Sequence, residues 1–244
     1  MAARRPRPEG ARPRTDSARG IVADDGTTHA TKQRLLDAGM AMLLRHGYND
    51  LGIAAVLSET NVPKGSFYHH FHDKEDFALQ VIDQYMRAVH AGLDACLGDR
   101  AHPPLERVRR FFEATRQSYR SEGYLGCLLG GLGQELSGVN DVFRQKIDWC
   151  FSQIAERLAA CLEEAQCAGD VPAQANPREM ANRLVDCWEG AALRSRLRRD
   201  PAPLDAMLDF YFGTVSASLA PRPGGSLVPR TGGRRSAHGR PRSS

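Results

Sequence analysis

With 244 residues, 41% hydrophobic and 25% charged, the chain is long enough for one or two packed domains. It has no membrane-spanning apolar run and no apolar stretch of a signal peptide near its Arg- and Pro-rich start, so a cytoplasmic location is expected. The formal charge of +4 divides unevenly, with six Arg against four acids in residues 1–30 and six Arg against none in 219–244, so the folded body is mildly acidic. The six cysteines (96, 127, 150, 161, 167, 187) have no short paired spacing, which excludes a disulfide framework and a Cys-x-x-Cys zinc site and leaves buried or reactive thiols.

The Pro, Gly and Ser content of residues 1–30 predicts a disordered basic arm. Two readings of it are open: a solvated tail, or an arm adding phosphate or minor-groove contacts. Thr31 to His46 reads as an amphipathic helix with Leu35, Gly39, Met42 and Leu43 on one face, stopped by Gly47. Gly52 to Thr60 reads as a short helix carrying Ile53, Val56 and Leu57, and Asn61 tolerates the left-handed backbone of a tight turn.

Pro63 suits the first position of the next short helix. Lys64, Gly65 and Ser66 then lie in a first turn whose backbone donors face outward, an arrangement that attracts phosphate. Phe67 and Phe71 fall on one face for burial, which leaves Lys64, Ser66, Tyr68 and His69 for an outer partner. Two short helices around a tight turn form a helix-turn-helix, and Pro63 to His70 is the candidate recognition helix for the DNA major groove. His69, His70 and His72 lack an acidic or Cys partner at zinc spacing, so no metal is expected. Asp73 with Asp76 approaches a capping box and opens a helix from Lys74 to about Leu97, roughly 35 Å long at about 1.5 Å per residue. Its predicted buried stripe is Phe77, Val81, Tyr85, Val89 and Leu93.

From about Arg34 to Phe77 the sequence resembles the DNA-binding domain of the TetR family of bacterial transcriptional repressors. The resemblance rests on Leu35-Leu36-Asp37-Ala38, Gly47-Tyr48, Val62, the run Lys64-Gly65-Ser66-Phe67-Tyr68-His69-His70-Phe71, and Asp73-Lys74-Glu75-Asp76-Phe77. Leu51-Gly52 departs from the usual Thr/Ser cap, with Asp50 a candidate substitute, and Asn61 stands where the family usually has Gly. The resemblance implies a dimer on a palindromic operator. Pro63, Lys64, Gly65, Ser66, Tyr68, His69 and Lys74 are the candidate DNA-binding residues, mainly gripping phosphate and fixing register.

Gly98 and Pro103-Pro104 bound a loop, and Leu105, Val108, Phe111, Phe112 and Tyr119 mark a helix ending near Gly123. From Gly126 to Leu136 the chain sets glycines at 126, 130, 131 and 133 in one short helical segment, which costs stability unless close packing or a cavity requires them. Asp141 to Gln166 reads as a helix with Val142, Ile147, Phe151, Ile154, Leu158 and Leu162 inward, and Trp149 is expected in the core. Pro177 to Arg199 carries Met180, Leu184, Cys187, Trp188, Ala191 and Leu193; Pro201 to Leu219 carries Leu204, Met207, Leu208, Tyr211 and Val215. These last two helices are expected to pack on their own copies in a twofold homodimer. Residues 220–244 read as a disordered basic tail.

The predicted fold is all-α with about nine helices: an N-terminal three-helix helix-turn-helix domain over 31–77 and a helical ligand-binding and dimerisation domain over 78–219. Gly126-Cys127-Leu128 and Trp188-Glu189-Gly190-Ala191 resemble the TetR subgroup that senses electrophiles or small unsaturated acids such as acrylate, with a Cys in the Gly-Cys-Leu position as sensor. A cysteine at a helix start is expected to have a lowered thiol pKa; a small buried hydrophobe is the other reading of Cys127. Trp188 either lines the effector pocket or fills the core, and Arg194 and Arg196 either pair with an anionic effector or end a solvated helix. The expected function is an effector-released DNA-binding repressor with no cofactor. A thiol enzyme using Cys127 with His90 or His102, or a helical interaction protein without DNA binding, are the alternatives.

Overall fold

The computed structural model describes residues 25–219. Most of the expected basic arm (1–30) and all of the expected basic tail (220–244) lie outside the described residues. Among those described there are nine helices and no strand: α1 (Asp25–His46), α2 (Ile53–Thr60), α3 (Lys64–His70), α4 (Lys74–Leu97), α5 (Pro104–Ser121), α6 (Leu128–Leu136), α7 (Asp141–Ala168), α8 (Pro177–Arg198) and α9 (Ala202–Leu219). They divide into two compact units, one ending at Gln84 and the other beginning at Tyr85, each with its own core.

In the first unit, α1 starts at Asp25 and not at Thr31. Its added first turns hold Thr28, His29 and Ala30, part- to fully exposed, so hydrophobic spacing has nothing there to mark. Leu35, Leu36 and Leu43 are buried from α1, and Met42 only partly. Phe67, Phe71, Phe77 and Val81 are buried in the same unit, and α1 comes close to Phe77 and Val81 at Gly39. Phe67, Phe71 and Phe77 pack with ring centroids 5.0, 5.1 and 4.8 Å apart. Each such pair adds about 0.5–1.5 kcal/mol beyond area burial, so together they are a large share of the few kcal/mol holding a small unit folded.

Leu51 is 2% exposed, which explains its presence at a position where a capping hydroxyl was expected: its side chain belongs to the core. The N-cap of α2 is Gly52, which has no side chain to cap with, and not Asp50. At the other end Asn61 takes φ 50° and ψ 44°, and its N–H reaches the carbonyls of Leu57 and Ser58. The N–H of Val62 bonds Leu57 O at 3.2 Å, closing the turn that leads into α3.

In the second unit, α7 and α8 form the centre, with α5 and α9 packed on them. Asn140 caps α7 by accepting from the N–H groups of Val142 and Phe143 at 2.9 and 3.2 Å. Asn176 caps α8 in the same way, through Arg178 and Glu179. Arg107, 2% exposed, is held by Glu164 and by the carbonyl of Leu97. Two residues expected inside lie outward on α7: Trp149 is 49% exposed with Lys146 Nζ 4.9 Å above its ring, and Val142 is 50% exposed; on α8, Cys187 and Leu193 are exposed as well. Periodicity located these helices but misjudged the width of their buried faces, because α7 and α8 present more apolar surface than this unit covers. Among the described residues no helix is long and apolar enough to cross a membrane.

Candidate DNA-reading helix and thiol cleft

Pro63 stands one position earlier than expected, as the extended N-cap of α3 (φ −60°, ψ 143°), and its carbonyl accepts from the N–H of Ser66 at 3.0 Å. Position N1 therefore falls to Lys64, and the N–H groups of Lys64 and Gly65 have no intrahelical acceptor. One side of α3 is fixed by Phe67 (0% exposed) and followed by buried Phe71. The other side carries exposed Lys64, Gly65, Tyr68 and His69, with Ser66 half-buried. Lys64 Nζ lies 5.9 Å from the Tyr68 ring centroid, one turn along the helix, so cation and aromatic present one surface.

His70 is turned partly inward; burial first, then His69 and Lys32, hold its pKa below the usual imidazole value. Its ring packs 6.0 Å from that of Phe71. Lys74 is half-buried: its Nζ lies 4.5 Å over the Tyr48 ring and donates to Asn49 O at 3.2 Å. That ties the start of α4 to the turn after α1. A close relative of a capping box opens α4: the N–H of Asp76 bonds Asp73 Oδ1 at 2.8 Å, while Asp76 Oδ2 accepts from the N–H of His72, one residue before the cap, at 2.8 Å. His72 Nδ1 also meets Asp73 Oδ2 at 2.8 Å, which occupies that histidine. An outward cationic and aromatic face on an otherwise anchored short helix suits a groove of nucleic acid.

In the second unit a different chemistry gathers at the start of α6. Gly126 has φ +81°, a conformation an L side chain resists, and this bend leads directly to Cys127 as the α6 N-cap. The Cys127 carbonyl accepts from the N–H of Gly131 at 3.1 Å. Its Sγ receives the Tyr85 hydroxyl at 3.5 Å, and the Glu189 carboxyl from α8 lines the same cleft. Glu189 packs so closely on α6 that a Cβ at Gly130 would come within 2.2 Å of its Oε2. Part of the glycine-rich sequence is thereby explained, because Gly130 is the space the carboxyl occupies. Tyr119 completes the cluster, its ring centroid 5.8 Å from that of Trp188.

Burial, then Glu189, pushes the Cys127 thiol up to about 12. The lowered pKa expected of a helix-start cysteine is therefore not found. About three pKa units against the thiolate amount to roughly 4 kcal/mol, whereas a helix terminus offers at most about 1–2 kcal/mol in its favour. Burial likewise raises the Glu189 carboxyl to about 7. Trp188 is 4% exposed and packs on Phe112 at 4.9 Å, so it belongs to the core behind the cluster. Arg194 is exposed and does not line the cleft; Arg196, two residues on, does, together with Gly126, Cys127, Gly130 and Glu189.

The cleft itself has only about 30 Å³ free, room for a water or two. Larger grooves of about 490 and 400 Å³ lie elsewhere in this unit, each lined in part by an ion pair, Arg109 with Glu113 in one and Arg157 with Asp94 in the other. His102 is engaged by Asp99 and Glu106, leaving no Cys–His pair with Cys127 there. Among the described residues no three His, Cys, Asp or Glu gather in a metal-binding group. Sequence reasoning assigned no site role to Tyr85, Glu189 or Gly130, although Glu189 lies in the run 188–191 that carries the resemblance and Gly130 in the glycine-rich stretch.

Two sequence profiles match the chain: "Bacterial regulatory proteins, tetR family" over residues 35–81 and "Tetracyclin repressor-like, C-terminal domain" over 104–211. The transcriptional regulator AcuR of Cereibacter sphaeroides is 36% identical over 79% of this chain and 87% of its own. The HTH-type transcriptional repressor DhaR of a Mycobacterium species (strain GP1) is 32% identical over 77% of this chain and 93% of its own. Among solved structures, the regulatory protein TetR from Rhodobacter sphaeroides superposes with a TM-score of 0.72 at 34% identity, covering 75% of this chain and 97% of that one. The helix-turn-helix around α3 and the helical body beyond it are thus each matched, and the chain belongs to the TetR family of bacterial transcriptional regulators, DNA-binding proteins and not enzymes.

Proposed function

We propose that this regulator is a homodimeric repressor that inserts α3 into the major groove at each half of a palindromic operator and is released when a small electrophile or unsaturated acid engages Cys127. The outward face of α3 carries the DNA part of the reading: Lys64, Tyr68 and His69 are exposed while Phe67 fixes the helix from behind. Lys64, Ser66 and His69 grip phosphate, Pro63 and Gly65 admit the DNA backbone, and Tyr68 reaches the groove. Lys74 acts by steadying the Tyr48–Asn49 turn as well as by its charge.

For the dimer, the support is the exposed apolar surface of Leu193 and Leu197 on α8 and Phe210 on α9, at 39%, 71% and 75%. For the effector, it is the enclosed thiol with a carboxyl and a tyrosine hydroxyl around it and Arg196 on the same cleft. In this reading Arg196, which lines the cleft, takes a carboxylate, Trp188 backs the site from the core, and Arg194 contributes long-range charge. A cleft this small restricts the effector to a few heavy atoms or requires it to open the site. Effector binding lifts repression only through different affinities for the DNA-bound and released arrangements.

The test is selection of bound duplexes from a random pool, followed by release with acrylate and with neutral electrophiles. The expected result is a palindromic site released from the wild-type protein and retained by Cys127→Ser. Release of Cys127→Ser at wild-type effector concentration removes the thiol from the mechanism.

A further inference from the structure

We infer that Glu189 is the proton acceptor for Cys127, so that the sensor adds to an α,β-unsaturated carbonyl held in the cleft without first forming a free thiolate. This rests on the thiol-sensing reading above and deepens it. The geometry assigns the role. Glu189 reaches across from α8 into the cleft that Cys127 lines, and its Oε2 and the Cys127 Cβ both border the space that Gly130 leaves open. Tyr85 donates its hydroxyl to the same sulfur at 3.5 Å, so charge developing on sulfur during addition meets a donor already in place.

The step balances within these groups. The Cys127 S–H bond breaks and its proton passes to the Glu189 carboxylate as the sulfur pair forms a bond to the β-carbon. The alkene π pair moves toward the carbonyl as an enolate. Glu189 then returns the proton to the α-carbon, finishing ionised, and the net change is addition of S–H across C=C with neither oxidant nor reductant. A thiol held neutral resists bulk oxidants and alkylating agents. It reacts when an acceptor lies beside both sulfur and base, so proximity supplies the selectivity that a permanently ionised cysteine lacks.

The groups facing Glu189 are Cys127 at the start of α6, Tyr85 on α4, Tyr119 on α5 and, two turns along its own helix, Arg196. Of these, Glu189 is the one whose proton is exchanged near neutrality, with its carboxyl at about 7. A base with that pKa makes the addition rate rise with pH up to about 7 and then level off. A thiol acting alone keeps accelerating well above it.

The experiment follows alkylation of the full-length protein by acrylamide, a neutral acceptor, from pH 5 to 9, with peptide mass spectrometry resolving Cys127 from exposed Cys167 and Cys187. In the wild-type protein the Cys127 rate is expected to plateau above about pH 7. In Glu189→Gln it falls about 100-fold at pH 7.5 and loses the plateau, while Cys167 is unchanged. Glu189→Asp, which retains a carboxylate, recovers part of the rate. Overturning results are a Glu189→Gln rate and profile equal to wild type, a wild-type profile that climbs to pH 9 without levelling, or no wild-type adduct at Cys127. Because the readout is the bond itself, it separates from the parent reading. If Cys127→Ser still releases its operator while the wild-type plateau is present, the sensing role fails and the proton transfer stands.

Discussion

Replacing Gly65 by alanine adds one methyl group to the exposed first turn of α3, where a Cβ meets no atom within 4 Å. The folded protein has room for it, and alanine is the better helix former by up to about 1 kcal/mol, so stability is expected to hold or rise. DNA binding is expected to move the other way. The backbone donors of Lys64 and Gly65 have no helical acceptor, and a phosphate approaching them would meet the new methyl. Losing one hydrogen bond to a charged group costs about 1.5–3 kcal/mol, which is a tenfold or greater loss of affinity at each half of a twofold site. The assay pairs urea denaturation with fluorescence anisotropy on the selected duplex at fixed salt. A variant as stable as wild type that binds with undiminished affinity would show that DNA does not approach the backbone at residue 65, and the assigned role of the α3 start would be wrong.

Gly39→Ala has the opposite character. A Cβ there would stand 2.5 and 2.9 Å from ring atoms of Phe77 and 3.0 Å from Val81 Cγ2, and Phe77 is 0% exposed between Phe67 and Phe71. Overpacking of about 1–3 kcal/mol outweighs the helix-propensity gain of about 1 kcal/mol, so a lowered Tm with reduced operator binding is expected in thermal melts. Asn61→Val places a β-branched residue at φ 50° and should cost roughly 1–2 kcal/mol, whereas Asn61→Gly should change stability by less than about 1 kcal/mol; equal melts for the two would contradict a left-handed turn. Glu189 affects stability with a definite sign. Its carboxyl ionises near the ordinary 4.5 when unfolded and about 7 when folded, so the folded state binds the extra proton and stability falls as pH rises between those values. Glu189→Gln should remove that slope and, at pH 8, stabilise the fold by up to about 3 kcal/mol; a slope unchanged in the variant's denaturation series would show that Glu189 is not buried as an acid.

The helix-turn-helix was legible because its signals are local. A Pro, a small residue, paired phenylalanines four apart and an Asp cap each constrain backbone within one or two turns, and the structure moved the starts of α2 and α3 by one position and that of α4 not at all, whereas α1, with no such signal, starts six residues early. Position 51 misled because a departure from a capping residue gives no hint that the replacement, Leu51, is a core side chain. The thiol cleft was half legible. Cys127 and the glycine run were visible, but Glu189 lies 62 residues away in sequence and meets them only through the packing of α8 on α6. The thiol pKa went astray for the same reason: helix-start reasoning sees the local dipole and not the desolvation and carboxyl supplied by distant residues. Trp149 and Val142 were expected inside because apolar identity does not say whether a helix face meets its own chain.

The most direct test of the central assignment, that the exposed face of α3 grips duplex DNA, is the salt dependence of binding to the selected duplex by wild type and Lys64→Ala. Wild-type affinity should fall steeply and linearly with salt on logarithmic axes, and Lys64→Ala should bind more weakly with a slope shallower by about 0.9 for each phosphate no longer neutralised. A Lys64→Ala protein with wild-type affinity and slope would contradict it.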